Sequence, residues 1–257
     1  MRDDRLPPQI ESGLDYLRLV RKHEDSCEVR TLHRLPTMGK KAPECVEALG
    51  MHLALLDKLA CCGWGCPGEG APHTIERIVG RTVSHTFAGL RLLNFGHYDE
   101  ALSLARAIGE AANLLFLFLN EPSEFQKWNS MAGKARWNAF RPAEVRKALD
   151  RRGIPIPIEQ TEYEILSERV AHVGPDTLPQ SYNPAQLPTL GGYFQEAGVL
   201  ACLNELAWAA AILGASAARL VEIPRDAVKA ITETSLAVME SVGGVRLKTV
   251  GKWFVPQ

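Results

Sequence analysis

The sequence lacks both a charge excess and an apolar leader. Its 257 residues carry 29 Lys and Arg against 30 Asp and Glu, so the formal net charge is -1 and no global field attracts nucleic acid or a membrane. The first residues contain no apolar run of the kind found in secretory signals, and we therefore expect a cytoplasmic protein. In such a reducing compartment the six cysteines are expected to be free thiols.

Several motifs of nucleotide and metal enzymes are also missing. The sequence has no Walker loop, no Gly-x-Gly-x-x-Gly turn and no His-Glu-x-x-His pair. These absences argue against a nucleotide cofactor and against the usual kind of metalloprotease, and we expect no cofactor. Apart from the last residues, no segment alternates apolar and polar residues over a useful length, so little strand is expected.

Apolar residues recur instead at helical spacing along most of the chain, which predicts an all-α, multi-helix bundle. Residues 25–41 look like a charged turn, and Thr161 and Glu164 would form a capping box. We expect residues 1–68 to hold N-terminal helices and a Cys/Gly loop, and residues 69–257 to form the main bundle with one continuous core. Helices are expected at residues 9–24, 43–60, 74–95, 99–119, 122–132, 142–152, 161–172, 193–220 and 224–242.

The bundle is expected to be built around a long antiparallel helical hairpin, residues 74–119. Gly96 follows the first helix where a left-handed residue commonly ends a helix, and Asp99 would cap the second helix. The turn between them is short, which favours helices that lie side by side.

Residues 198–221 are long enough to cross a bilayer. However, Asn204 and Glu205 lie in the first half, and a charged residue inside a membrane costs about 2.5–3.5 kcal/mol. We therefore favour a buried core helix over a membrane span, and expect no membrane partner.

Three cysteines crowd the loop after the second predicted helix. Cys61, Cys62 and Cys66 are followed by His73, a combination that raises the question of zinc. A structural zinc site needs four ligands, usually as two paired sets, and adjacent cysteines chelate one ion poorly. We favour a tight loop with half-buried thiols and expect no metal.

Three polar residues share a stripe on the second helix of the hairpin. Arg106, Glu110 and Asn113 follow one another at spacings of four and three residues, and the first two can form an ion pair. The helix becomes apolar on all sides from Leu114 onward, so its C-terminal half must be buried. The stripe is therefore either a solvated face or the edge of a buried polar site.

A second polar group lies far along the chain. Tyr163 and Ser167 share one helix face, and His172 lies where that helix ends. The helix dipole stabilises a charged imidazole there, so His172 is either a capping residue or a functional one. No Gly-x-Ser-x-Gly turn surrounds Ser167, so Ser167 and His172 are not a nucleophile and its base.

Residues 125–152 are basic and carry interleaved aromatic residues. Such a stretch either holds a nucleic-acid backbone and stacks its bases, or forms a helix face with a small aromatic core of its own. Arg136 and Arg141 are candidate binding residues under the first alternative.

One Arg-to-His spacing is similar to that of the HEPN ribonucleases, whose motif is an Arg followed by a His after four to six residues. Arg91 and His97 have five residues between them, but Leu92 stands where the family usually has a polar residue. Arg81 and His85 are too close in sequence to match. Short motifs of this kind arise by chance, so the match is a hypothesis.

The run YDEALSLARAIGEAANLLFLFL, followed later by YEILSERVAH, resembles a group of bacterial all-helical proteins without an assigned activity. The similarity spans roughly residues 70–215 and is carried by an Ala-Arg-x-x-x-Glu helix and a Leu-Ser-x-x-x-x-His segment. The group is distantly similar to HEPN-type bundles of bacterial defence loci, and the resemblance implies that the Arg, the Glu and the His converge. The two motifs fall on Ala105, Arg106, Glu110, Leu166, Ser167 and His172.

We therefore expect a HEPN-like defence or toxin component that acts on RNA. His172 or His97 would be the general base, and Arg106 or Arg91 would stabilise the charge that develops at phosphorus. The alternative is a non-catalytic interaction or scaffold protein, in which Arg106 and Glu110 form a structural pair. A homodimer and a small-molecule pocket beneath a 173–192 loop are left open. The candidate catalytic residues are Arg106, Glu110 and His172, and the candidate binding residues are Asn113, Tyr163, Ser167, Arg136 and Arg141.

Overall fold

The computed structural model describes residues 12–38, 41–65, 73–166 and 192–242. Within these ranges the regular structure is helical and contains no strand, so the prediction of an all-α fold is confirmed. The helices are α1 (Gly13–Arg34), α2 (Lys41–Ala60), α3 (Thr74–Asn94), α4 (Tyr98–Asn120), α5 (Pro122–Ser130), α6 (Gly133–Phe140), α7 (Pro142–Arg151), α8 (Gln160–Leu166), α9 (Glu196–Leu220) and α10 (Arg225–Val242), with a 3₁₀ turn at Leu35–Thr37.

Helix α9 lies at the centre of the packing. It contacts α2, α3, α4 and α10, and its contact with α4 is the most extensive between any two described helices. Small residues allow this approach: a Cβ on Gly214 would lie 2.4 Å from Nε2 of His52 on α2, and a Cβ on Gly198 would lie 2.5 Å from the ring of Tyr98 on α4. The expected hairpin is therefore not confirmed as the organising element, although α3 and α4 do pack against each other.

The turn between α3 and α4 is held by two distant parts of the chain. Gly96 has a φ of +82°, the left-handed conformation expected beyond a helix C-terminus. Gly192 lies so close to the turn that a Cβ there would be 1.6 Å from the carbonyl oxygen of Phe95. From α1, Glu24 places a carboxylate oxygen 2.9 Å from Nε2 of His97. The turn is thus fixed by segments before and after the hairpin.

Helix α1 continues to Arg34, so the prediction of a turn from residue 25 onward was wrong. This part of the sequence has no apolar stripe, because α1 buries only a narrow edge that contains Cys27 and Thr31. Arg21 and Asp25 form an ion pair at 3.0 Å across one turn of the helix. Further along, the buried Thr31 hydroxyl donates to the carbonyl of Asn94 at 3.3 Å, which docks α1 on the end of α3.

Two predicted helix starts are each displaced. Asp99 lies inside the first turn of α4, and His97 occupies the N-cap position. Thr161 lies inside α8, and Glu164 accepts a hydrogen bond from the side chain of Gln160 at 2.5 Å rather than reaching back to a cap. Each N-cap therefore lies two residues before the predicted one, which is within the ordinary spread of helix boundaries.

Helices α4 and α9 are long and apolar enough to cross a membrane by length and composition alone. In the structure, 56% of the α4 window and 72% of the α9 window are buried against the rest of the molecule. Burial of this kind is the behaviour of a core helix that is apolar on most sides. The cellular location stays a prediction.

Candidate functional site

The polar stripe of α4 faces another helix rather than open solvent. Nη2 of Arg106 lies 3.1 Å from Oε1 of Glu110, and these side chains are 22% and 31% exposed. The Arg106 guanidinium also donates to the Tyr163 hydroxyl on α8 and lies 4.5 Å from the centroid of its ring. The stripe is therefore partly buried against α8, and the predicted ion pair is present.

A second guanidinium meets the same tyrosine ring. Arg146 of α7 lies 4.0 Å from the centroid of Tyr163, and its Nε donates to Oε1 of Gln160 at 2.7 Å. Arg146 is only 5% exposed; burial lowers its pKa, and the nearby Tyr163 and Glu110 oppose that shift. We call Arg106, Glu110, Arg146, Gln160 and Tyr163 the arginine–tyrosine cluster. It joins α4, α7 and the start of α8.

Asn113 has a structural task beside this cluster. Its Nδ2 donates to the carbonyl of Ile158 at 3.0 Å, and its Oδ1 accepts from the N–H of Ile158, also at 3.0 Å. Asn113 is 3% exposed, so these two bonds satisfy both backbone polar groups of Ile158, in the segment between α7 and α8. The predicted role of Asn113 in binding a substrate finds no support in this geometry, because both ends of its amide are engaged.

A cleft of 370 Å³ opens on the other side of Glu110. Its walls come from α3, α4 and the segment from α5 to α7, and we call it the aromatic cleft. Its polar lining consists of Arg81, His85, Glu110 and Arg141, with Thr82 beside them. Its apolar lining consists of Ile78, Ala107, Ala111, Leu114, Trp128, Trp137, Phe140, Pro142 and Val145.

His85 is the titratable group of the cleft whose pKa is shifted. Burial lowers the pKa of His85, and the neighbouring Arg81 lowers it further. The imidazole is therefore neutral at pH 7 and able to accept a proton. Sequence reasoning passed over this pair because its spacing does not fit the HEPN motif. No local signal identified it, since the partners that make the cleft come from distant helices.

The aromatic residues of 125–152 divide into two groups. Phe125, Trp128 and Phe140 pack around Phe118 of α4, with ring centroids 5.2, 5.6 and 6.2 Å away. The second alternative predicted an aromatic core of the stretch's own, whereas these rings join the main core of the molecule. Trp137 stays 63% exposed at the mouth of the cleft, so the same stretch also offers a free ring.

The basic residues near the cleft make two kinds of contact, a cation–π contact and ion pairs. Arg136 lies 5.0 Å from the centroid of Trp128, a cation–π contact. Arg141 donates to Glu144 at 3.2 Å, and Lys147 contacts the same carboxylate at 3.1 Å. Hydrogen bonds from Lys147 and then Arg141 lower the pKa of Glu144. These pairs are exposed, so an anionic ligand could replace the carboxylate at low energetic cost.

His97 is a further candidate for proton transfer within the described residues, and it does not line the aromatic cleft. His97 is engaged by Glu24 of α1 at 2.9 Å, and Arg91 is exposed on α3; their pairing in catalysis stays a prediction. His172, Ser167, Cys66 and nearly all of the predicted 173–192 loop lie outside the described residues, as do residues 243–257. Convergence of His172 on Arg106 and Glu110 stays a prediction.

A buried histidine that sequence reasoning missed lies in the core. His52 of α2 is fully buried, with Nδ1 3.0 Å from Oγ1 of Thr234 and Nε2 3.3 Å from the carbonyl of Ala210. Burial lowers its pKa to about 4, and the Ala210 carbonyl opposes that shift. His52 therefore links α2, α9 and α10 as a neutral residue.

The comparisons with known proteins give no match: no family model, curated protein or solved structure matches this chain.

Proposed function

We propose that the chain binds RNA in the aromatic cleft and cleaves it there without a metal. The observation that supports this proposal is the combination of a neutral His85 with arginines from two walls, Arg81 of α3 and Arg141 at the start of α7. An imidazole that is uncharged at neutral pH suits a general base, and guanidinium groups suit a phosphate.

In the proposed reaction, His85 accepts the proton of a ribose 2′-hydroxyl, and the 2′-oxygen attacks the adjacent phosphorus. The bond from phosphorus to the 5′-oxygen breaks, the leaving oxygen takes a proton from water, and the product carries a 2′,3′-cyclic phosphate. Arg81 and Arg141 stabilise the negative charge that develops on the phosphoryl oxygens. The exposed Trp137 ring stacks a flanking base.

The arginine–tyrosine cluster supports the cleft from behind. Arg106 holds Glu110, which lines the cleft, and is itself held by the Tyr163 hydroxyl. The proposed role of Arg106 and Tyr163 is therefore to position one wall. Among the described residues of the lining, Glu110 carries a negative charge, which would lower the affinity of the cleft for phosphate.

Binding is tested by fluorescence anisotropy with a labelled single-stranded RNA at several salt concentrations, using the full chain. Arg81→Ala and Arg141→Ala are each expected to weaken binding and to reduce the slope of log affinity against log salt by about 0.7. Trp137→Ala should weaken binding by about 1–3 kcal/mol with little change in that slope. Arg18→Ala, an exposed arginine of α1, and Phe87→Ala, an exposed aromatic of α3, are the matched controls.

The proposal fails if the wild-type chain does not bind RNA at low salt, or if Arg18→Ala weakens binding as much as the cleft variants do. Equal loss in the controls would indicate a diffuse electrostatic attraction with no defined site.

A non-catalytic interaction protein is the second candidate. This candidate is favoured by the contacts of the arginine–tyrosine cluster, whose members contact one another and thereby join α4, α7 and α8. RNA that binds in the cleft and remains intact would favour this candidate over the nuclease.

A further inference from the structure

The end of α2 and the start of α3 bring together three side chains with metal-binding atoms. They are Cys62, His73 and Glu76, and their ligand atoms all lie within 4.8 Å of one another. Cys62 lies in the loop that follows α2, and His73 immediately precedes α3. Glu76 lies in the first turn of α3. This group is separate from the aromatic cleft and has no part in the proposed RNA reaction.

The spacing of the first two atoms fits a shared metal. Sγ of Cys62 lies 3.5 Å from Nδ1 of His73. In a tetrahedral zinc site, Zn–S and Zn–N bonds of about 2.3 and 2.0–2.1 Å place sulfur and nitrogen about 3.6 Å apart. Cys62 and His73 therefore already have the separation that a bridging zinc ion requires.

The backbone turns this thiol toward α3. Cys62 has a φ of 55°, and no other non-glycine residue of the described part has a positive φ. Residues with a Cβ rarely adopt this left-handed conformation, and those that do are concentrated at functional sites. The neighbouring Cys61 is exposed and lies outside the group, so the two adjacent cysteines do not compete for one ion.

Glu76 is a buried carboxylate without a partner among the described residues, and this independently supports a bound cation. Its side chain is 7% exposed, and it has no hydrogen bond or ion pair to another residue within the described ranges. The first-turn position offsets part of the cost of burying this carboxylate, since the helix dipole favours an anion there. A bound cation would supply the charged partner that buried carboxylates normally have.

A small cavity adjoins the group. It has a volume of 170 Å³, and Cys62 and Glu76 lie in its wall beside the apolar side chains of Leu59, Ile75 and Ile223. A site with three protein ligands keeps a fourth position for water or a small ligand, as zinc sites that do chemistry do. The cavity provides room for that fourth ligand.

We infer that Cys62, His73 and Glu76 bind one divalent transition-metal ion of the zinc class, with the fourth position open to the cavity. One thiolate, one imidazole and one carboxylate suit zinc and its substitute cobalt, and suit magnesium or calcium poorly. In the sequence, only cysteines and one histidine stand near each other as potential ligands. Glu76 becomes a third ligand only in the structure, because the fold of the loop onto α3 brings that carboxylate to the thiol.

The test uses the full chain, stripped of metal with a chelator under reducing conditions and titrated with Co²⁺. Binding is expected at one equivalent, with a thiolate-to-cobalt charge-transfer band, and Zn²⁺ should displace the cobalt. Cys62→Ser should abolish that band, and Glu76→Gln should weaken Zn²⁺ binding at least about 10–100-fold, the loss seen even for groups that only orient a ligand.

Two matched controls separate this site from general thiol binding. Cys61→Ser removes the adjacent exposed cysteine, and Glu222→Gln removes a carboxylate that lines the same cavity outside the group. Both should bind cobalt as the wild type does. Circular dichroism shows whether each variant is folded. If Cys62→Ser does not fold, Glu76→Gln still tests the site.

Three results would overturn the inference. One is a wild type without a charge-transfer band, which would leave the contact between Cys62 and His73 as a simple hydrogen bond. Another is a band that persists in Cys62→Ser, which would assign the metal to other cysteines. The third is an unchanged affinity in folded Glu76→Gln.

Discussion

At the scale of single residues, the arginine–tyrosine cluster combines a pair on one helix with side chains that meet across helices. The Arg106–Glu110 pair follows from its spacing of four, because neighbours on a helix surface are fixed by the helix itself. Tyr163 meets Arg146 only when α7 and α8 pack on α4. His85 belongs to the same class, since nothing near it in sequence indicates the cleft it lines.

His52 gives the residue-scale prediction. Its pKa is about 4 when folded, below the usual 6.5, so the unfolded chain binds more protons between these two values. The stability present above pH 6.5 is therefore lost as the pH falls toward 4, by about 3 kcal/mol from this residue alone. The measurement is the free energy of unfolding in denaturant at pH 7 and pH 4.

His52→Gln should show a smaller loss between these pH values, since the side chain no longer titrates. His33→Gln, which changes an exposed histidine of α1, should keep the wild-type dependence. Equal losses in the wild type and in His52→Gln would show that His52 is not the responsible group.

At the scale of elements, the ranges of most helices were predicted to within a few residues, and the errors have physical causes. Helices with a broad apolar stripe, such as α2, were predicted well because burial sets both their period and their length. Helix α1 was cut short in the prediction, because an amphipathic pattern fades when only an edge such as Cys27 and Thr31 is buried. The contact of the Asn113 amide with the segment before α8 was not predicted, because it forms only when that segment packs on α4.

Asn113 gives the element-scale prediction. Its side chain is bonded to both polar groups of Ile158, so Asn113→Ala leaves two buried backbone groups without partners. We expect a loss of about 2–4 kcal/mol in the free energy of unfolding. Asn120→Ala, which removes an amide at the end of the same helix from a bond to the Phe116 carbonyl, should cost less than about 1.5 kcal/mol. Similar losses for both variants would contradict the role assigned to Asn113.

At the scale of the whole molecule, the fold class could be predicted and the arrangement could not. Helical periodicity along the chain was enough to predict an all-α bundle. The central position of α9 depends on which small residues face which partners, as Gly214 faces His52, and a single sequence does not contain that information. The proposed site has a similar origin: Arg81 and His85 share α3, but only the packing of the bundle brings Arg141, at the start of α7, to the same cleft.

The central claim is that the aromatic cleft cleaves RNA with His85 as the base. The most direct measurement is the single-turnover cleavage rate of a labelled RNA by the full chain in the presence of a chelator, across a range of pH. We predict metal-independent cleavage whose rate reaches its plateau below the pH expected for an ordinary histidine, because the pKa of His85 is lowered. His85→Ala should lower the plateau rate about 10²–10⁴-fold while RNA remains bound, and His33→Ala should leave it unchanged. RNA that stays intact with the wild type, or a rate that survives in His85→Ala, would contradict the claim.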